Sequence, residues 1–201
     1  MNDAEVKQEL VAAARALGVV EPRPDCEPDL LYGPLFTELY DSGDPTYSVA
    51  IELIYEGYLL HYRSTRVLKE PVSCQTGLLA GDFFYARGMR YLAARGDVAA
   101  VDLLTRLMAA CSYLRVAGAP LAADDDLWAF TVAALAALCQ GAGATTALAL
   151  FSEFERLVAD AALDKLHHSV RQAAAALPLA CPEPLLRHLD GAALVATGRE
   201  V

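Results

Sequence analysis

The chain has 201 residues, with 16 lysines and arginines against 26 aspartates and glutamates, so its net charge of −10 repels phosphate backbones and excludes a general nucleic-acid binder. Alanine (38) and leucine (32) supply 70 of the 201 residues while valine, isoleucine and threonine together supply 26, which favours helices over strands. With 55% hydrophobic and 21% charged residues, the chain is neither disordered nor collagen-like.

The length fits one domain. From the start, Asp3 to Leu17 reads as a helix with Val6, Leu10, Ala13 and Leu17 on one face, stopped by Gly18. A proline-rich connector, Glu21 to Pro28, follows, and Asp29 is placed to cap a short helix containing Leu30, Leu31, Leu35 and Leu39. Asp44 as N-cap and Pro45 at the first helical position open the next helix, with an apolar stripe of Val49, Ile51, Leu53, Ile54 and Leu60. After a break around Pro71, Gln75 to Arg95 forms a helix closed by Gly96, and Asp97 caps another that ends at Gly118-Ala119-Pro120. Asp124-Asp125-Asp126 suits the positive end of a further helix dipole. A long helix is expected from about Thr146 to Leu177, stopped by Pro178, and a last one from Pro182–Pro184 to Gly198. This gives an all-α bundle of about seven helices, a single domain over residues 1–201 in which 1–44 hold the N-terminal helices and connector.

Leu127 to Ser152 is uncharged over 26 residues, long enough for a membrane span. Its threonines, glutamine and glycines favour instead two buried helices broken at Gly141-Ala142-Gly143. The five cysteines (26, 74, 111, 139, 181) lie 28 to 48 residues apart, so they form neither a CxxC metal pair nor a secreted disulfide framework. With an acidic start that lacks a signal-peptide pattern, a cytoplasmic protein without a membrane span is expected. Among the four histidines, only His168 stands four residues from a carboxylate on its own helix, Asp164. That spacing reads as a local contact rather than a metal site. Gly141 to Ala144 is no phosphate-binding loop, since no GK[ST] follows.

The stretch Ala50-Ile51-Glu52-Leu53-Ile54-Tyr55-Glu56-Gly57-Tyr58-Leu59-Leu60-His61, followed one loop later by Gly77-Leu78-Leu79-Ala80-Gly81-Asp82-Phe83-Phe84-Tyr85-Ala86-Arg87, resembles the trans-isoprenyl diphosphate synthases (polyprenyl synthetases). Their corresponding helices read like ELIHxASLIHDD and xLAGDxLLxxA. Trp128 to Leu135 resembles the helix that carries the family's KTAxL motif, and the likeness runs from about residue 45 to the end. It implies an isoprenoid-synthase-like bundle, here shortened.

That family uses two DDxxD motifs, whose clustered carboxylates hold the Mg²⁺ ions that bind an allylic diphosphate. Aligned on His61, the first motif falls on Tyr62, Arg63 and Arg66. Phe130 replaces the lysine before Thr131, and Leu148 to Glu155 offers Glu153 and Glu155 where the second motif would stand. Asp124 to Asp126 precede Thr131 and are on the wrong side to substitute. The expectation is therefore a protein that is not an enzyme, has no catalytic residues, metal or cofactor, and resembles the small subunit of a heteromeric prenyl diphosphate synthase. It would complete a dimer with a catalytic synthase subunit, or with itself, and modulate product chain length. The alternative is a self-associating protein that binds an isoprenoid diphosphate through Arg63 and Arg66, which an i,i+3 spacing would put on one helical face. Against it stands the reading preferred for these arginines, that they are solvated or paired with carboxylates such as Glu56, Glu70 or Glu153. An enzyme of unrelated chemistry finds no acid/base pair or partnered nucleophile. Phe83, Phe84 and Tyr85 sweep about 200° of helix surface, wider than one core stripe needs. They are the candidate interface, with burial on all sides within the monomer as the competing reading.

Overall fold

A computed structural model describes residues 3–24, 26–41, 43–141, 144–160 and 162–197. Among them it is all-helical: α1 (Asp3–Leu17), α2 (Tyr32–Leu39), α3 (Thr46–Tyr62), α4 (Cys74–Ala94), α5 (Val98–Val116), α6 (Leu121–Cys139), α7 (Ala144–Ala159), α8 (Leu163–Ala176) and α9 (Glu183–Thr197). A single antiparallel bridge, Pro22 to Leu68, is the extended pairing found among them. No helix among the described residues is long and apolar enough to cross a membrane. The uncharged stretch divides between α6 and α7.

Nine described helices replace the expected seven or so, chiefly because the segment from Thr146 to Leu177 is not one rod. It breaks between Ala159 and Leu163, where Ala162 N–H returns to the Leu157 carbonyl at 2.9 Å. A straight helix of that length would reach about 48 Å. Folding back lets α7 bury Phe151, Phe154, Leu157 and Val158 and α8 bury Leu166, Val170 and Ala174, with both helices packed on α6. Other differences lie at helix starts. Asp29 does not cap α2, whose cap comes from another helix. Asp44 stands one residue before the Pro45 cap and accepts from Thr46 N and Oγ1 at 2.9 and 2.6 Å. The Thr46 hydroxyl, with its amide and Arg95, holds the Asp44 carboxyl below its ordinary pKa.

The chain divides into two compact units, Met1–Thr37 with Asp41–Val98, and Glu38–Tyr40 with Ala99–Val201. The first is organised on α3, every residue of which from Tyr47 to Leu59 is buried. Val6, Leu10 and Ala13 of α1, Val49 and Leu53 of α3, Ala80 and Phe84 of α4, and Val67 and Leu68 of the intervening segment form one core. The second is organised on α6, buried continuously from Asp126 to Ala137, with Phe130 set edge-on to Phe154 at 4.7 Å. Gln140, just past α6, donates to the Leu39 carbonyl at 2.8 Å and accepts from Ala180 N at 2.9 Å.

The most extensive packing is that of α3 on α4, and glycine makes it possible. A Cβ on Gly57 would sit 2.8 Å from the Gly81 carbonyl, and one on Gly88 would sit 2.8 Å from the Ala50 carbonyl. These helices therefore touch backbone to backbone. At the far end of α4, Gly96 takes φ 71°, and the Asp97 amide reaches back to the Leu92 carbonyl at 3.2 Å, the left-handed stop that glycine permits. Gly57→Ala and Gly88→Ala are each expected to lose at least about 1 kcal/mol in urea unfolding, because backbone cannot yield to the added methyl. That net loss already includes the roughly 1 kcal/mol of helix propensity that alanine gains over glycine. Increased stability in either variant would place the helices further apart than described.

Candidate functional site

Helix α3 stops at Tyr62, and Arg63 is its C-cap in an extended conformation (φ −140°, ψ −155°). Arg63 and Arg66 are therefore not one helical turn apart, and the expected shared face does not exist. Tyr62 lies against Tyr58, ring centroids 5.4 Å apart. Arg63 donates from Nε to the Tyr58 hydroxyl at 3.1 Å, and its guanidinium stands over the same ring. It lines a small cleft of about 140 Å³ together with His61, Glu70, Ser73 and Cys74, between the end of α3 and the start of α4.

Arg66 turns inward instead. Its Nη1 donates to Glu52 Oε2 at 2.5 Å and its Nε to Glu56 Oε2 at 2.8 Å, and its guanidinium lies 5.0 Å from the centre of the Tyr55 ring. Glu52 and Glu56 are four residues apart on α3, so they share a face, and both are fully buried. Their remaining lone pairs are also filled. Glu52 Oε1 accepts the amides of Leu31, Tyr32 and Gly33 at 2.8, 2.7 and 2.7 Å, which is how α2 obtains its N-terminal cap. Glu56 Oε1 accepts from the Thr65 hydroxyl at 2.6 Å and from Arg66 N at 3.0 Å. Burial pulls the Arg66 guanidinium down, but the two carboxylates outweigh it and its pKa is raised. A buried ionic cluster this completely hydrogen-bonded fixes geometry.

The signal for this cluster is visible in the sequence: two acids at i,i+4 within the otherwise uncharged run from Thr46 to Leu60. Glu52 is the member of the cluster that only the structure adds. Of the pairings open to the two arginines, the structure places Glu56 on Arg66.

Phe84 shares the buried line of α4 with Gly77, Gly81 and Gly88, and is wholly buried. It is therefore a core residue of this chain and not an outward ring. Phe83 and Tyr85 take the two shoulders, about 100° to either side, and both are half-buried. Phe83 meets Phe84 edge-on at 5.7 Å, and Tyr85 meets His61 edge-on at 5.0 Å. One wide sweep thus serves a core face and its margins. His61 lies over Gly81, with Nε2 3.0 Å from the Leu78 carbonyl and 3.4 Å from Asp82 Oδ1.

The other residues that the sequence resemblance singled out are taken up in packing or ion pairs. Phe130 is buried among Phe151 and Phe154, and the Thr131 hydroxyl donates to the Leu127 carbonyl at 2.7 Å. Glu155 pairs with Arg106 at 2.9 Å, and Glu153 with Arg156 at 2.6 Å. Asp124 pairs with Arg115 at 3.0 Å and Asp126 with His167 Nδ1 at 2.6 Å. Burial raises the Asp126 carboxyl against the pull of His167. The side chain of Asp164, and with it the Asp164–His168 spacing, lies outside the described residues. Among those described, no group of three or more His, Cys, Asp or Glu side chains could hold a metal ion.

No family model matches the sequence, and no curated protein matches it. Among solved structures, the chain is similar to the crystal structure of a decaprenyl diphosphate synthase from Rhodobacter capsulatus, with a TM-score of 0.46 and 16% identity over 98% of this chain and 97% of that one. The matched protein is an enzyme, so the expectation that this chain is not an enzyme is withdrawn.

Arg66→Ala would leave Glu52 and Glu56 buried without a counter-charge, and should cost about 3–5 kcal/mol in denaturant unfolding. Arg66→Lys, a point charge that cannot serve both carboxylates in a planar fork, should recover only part of that. An Arg66→Ala variant as stable as the parent would mean that the pair is solvated.

Proposed function

We propose that this protein is a subunit of a trans-prenyl diphosphate synthase assembly, in which it completes a dimer with a synthase chain or a second copy of itself and influences product chain length. The observation that carries this reading is the outward face of α5. Leu103, Leu104, Leu107, Cys111 and Leu114 are buried along one side of the helix, yet the opposite side carries Thr105, Ala109, Ser112 and Val116 at i, i+4, i+7 and i+11. Val116 is 89% exposed and neighbouring Tyr113 49%. The Thr105 and Ser112 hydroxyls donate back to the Val101 and Met108 carbonyls at 2.7 and 2.9 Å, so they offer methyl and methylene surface instead of free donors. Asp102, at the margin, is paired with Arg106 at 3.2 Å. A helix apolar on both sides is one that a partner covers. An uncharged face also lets two copies of a −10 chain meet without like charges opposed.

The family reading rests on the sequence resemblance, whose two strongest segments fall on α3 and α4, the pair in glycine-mediated contact. The alternative, a self-associating isoprenoid-diphosphate binder, has less to stand on, since only Arg63 of its two arginines lines an open cleft. Sedimentation should find the protein dimeric, alone or mixed with a prenyl diphosphate synthase. In the mixture, the product lengths of the synthase should shift. Ala109→Glu/Val116→Glu should abolish association with helicity unchanged, because the interface would bury unpaired charge. A monomer in both settings, or unaltered product lengths, would overturn the proposal.

A further inference from the structure

Helix α4 buries one side, along Gly77, Gly81, Phe84, Gly88 and Leu92, and presents the opposite side to solvent. Leu79, Asp82, Ala86, Arg90 and Ala93 are exposed there, Leu79 at 71%. At 100° per residue all five fall within about 40° of Ala86, so they form one stripe. Their spacing along the chain, 3, 4, 4 and 3 residues, reads the same from either end.

The stripe carries one charge of each sign. Asp82 and Arg90 are eight residues apart, about 12 Å along the helix at 1.5 Å per residue, so they do not pair with each other. Asp82 is approached by His61 Nε2 at 3.4 Å, a ring nitrogen that lies closer to the Leu78 carbonyl, at 3.0 Å, and the Asp82 side chain stays 70% exposed. Charges on the margins of α4 are engaged within the chain instead: Arg87 by Glu9 at 3.0 Å and, just past the helix, Arg95 by Asp44.

An antiparallel copy of α4 answers this pattern. With Ala86 on a two-fold axis, residues equally far before and after it come level. Asp82 of each chain then meets Arg90 of the other, at two junctions, and Leu79 of each meets Ala93, a large side chain over a small one. A parallel copy would set Asp82 against Asp82 and Arg90 against Arg90. A small residue such as Ala86 at the crossing keeps the two helix axes close.

We propose that this face of α4 receives a second copy of the same chain, antiparallel and two-fold about Ala86, held in register by two Asp82–Arg90 pairs. Opposite charges brought level set register and partner choice more than affinity, and the exposed Leu79 side chains supply apolar area to bury. The inference goes beyond the reading above, which uses α5 and leaves the second chain open, and it does not depend on any link to a prenyl diphosphate synthase.

Sedimentation over a dilution series tests it, with helicity followed by circular dichroism. Asp82→Arg sets arginine against arginine at both junctions and Arg90→Asp sets aspartate against aspartate, so each should weaken self-association at least about tenfold. The double variant Asp82→Arg/Arg90→Asp restores opposite charges and should associate as the parent does, a recovery that misfolding would not give. The two single variants mixed in equal amounts should form a one-to-one heterodimer, because each junction then joins an arginine to an aspartate. A parent that stays monomeric throughout, single variants that associate as the parent does, or a double variant or mixture that does not associate would each overturn the inference. A monomeric parent whose assembly with a synthase chain is lost in the single variants would give the face to a different partner and overturn it likewise. Product lengths, which test the reading above, do not bear on this one.

Discussion

Two carboxylates buried side by side on one helix are tolerable only if nearly every lone pair is answered. In this protein, Glu52 and Glu56 meet that condition through Arg66, Thr65 and the first amides of α2. One cluster thereby ties down three otherwise separate pieces: the start of α2, the end of α3 and the segment returning from Thr65 to Leu68. That segment in turn positions the connector through Arg23 and Cys26. Because the cluster's partners are distant in sequence and its desolvation is costly, alternative registers of these pieces would strand a charge. The interaction specifies which arrangement forms more than it adds stability.

Around that cluster, the alanine- and glycine-rich composition does a different job. Small residues let α3 and α4 approach to backbone contact at Gly57, Gly81 and Gly88. Dispersion and buried area then accumulate over a long, close seam. The second unit repeats the principle without a charged lock. Helix α6 is buried along most of its length, Phe130, Phe151 and Phe154 fill its side, and polar contacts at its ends (Asp124 to Arg115, Asp126 to His167, Gln140 to Leu39 and Ala180) satisfy what burial would otherwise leave open. Each unit thus has one sheathed helix, and the surfaces left over, such as the outer side of α5, become the informative ones.

Much of the helical framework was legible from local signals. Gly18, Gly96, Gly118 and Pro178 end helices close to where the sequence suggests, since glycine's left-handed conformation and proline's missing donor act on neighbouring residues alone. The break between α7 and α8 carries no such punctuation, and it arises from the benefit of packing both apolar stripes on α6. Phe83, Phe84 and Tyr85 were legible as too wide for one core stripe, but not that the middle ring would share a line with three glycines.

The sequence by itself determined an all-helical chain, its approximate segment boundaries and its acidic field. Only the tertiary structure decided that Arg66 points inward to Glu52 and Glu56, that Glu52 caps α2 in place of Asp29, and that Arg63 lies beyond the helix end. Periodicity and capping depend on residues within about one helical turn. The partner of a buried charge is set instead by which distant segments are brought together, and by the large cost of leaving that charge unmet.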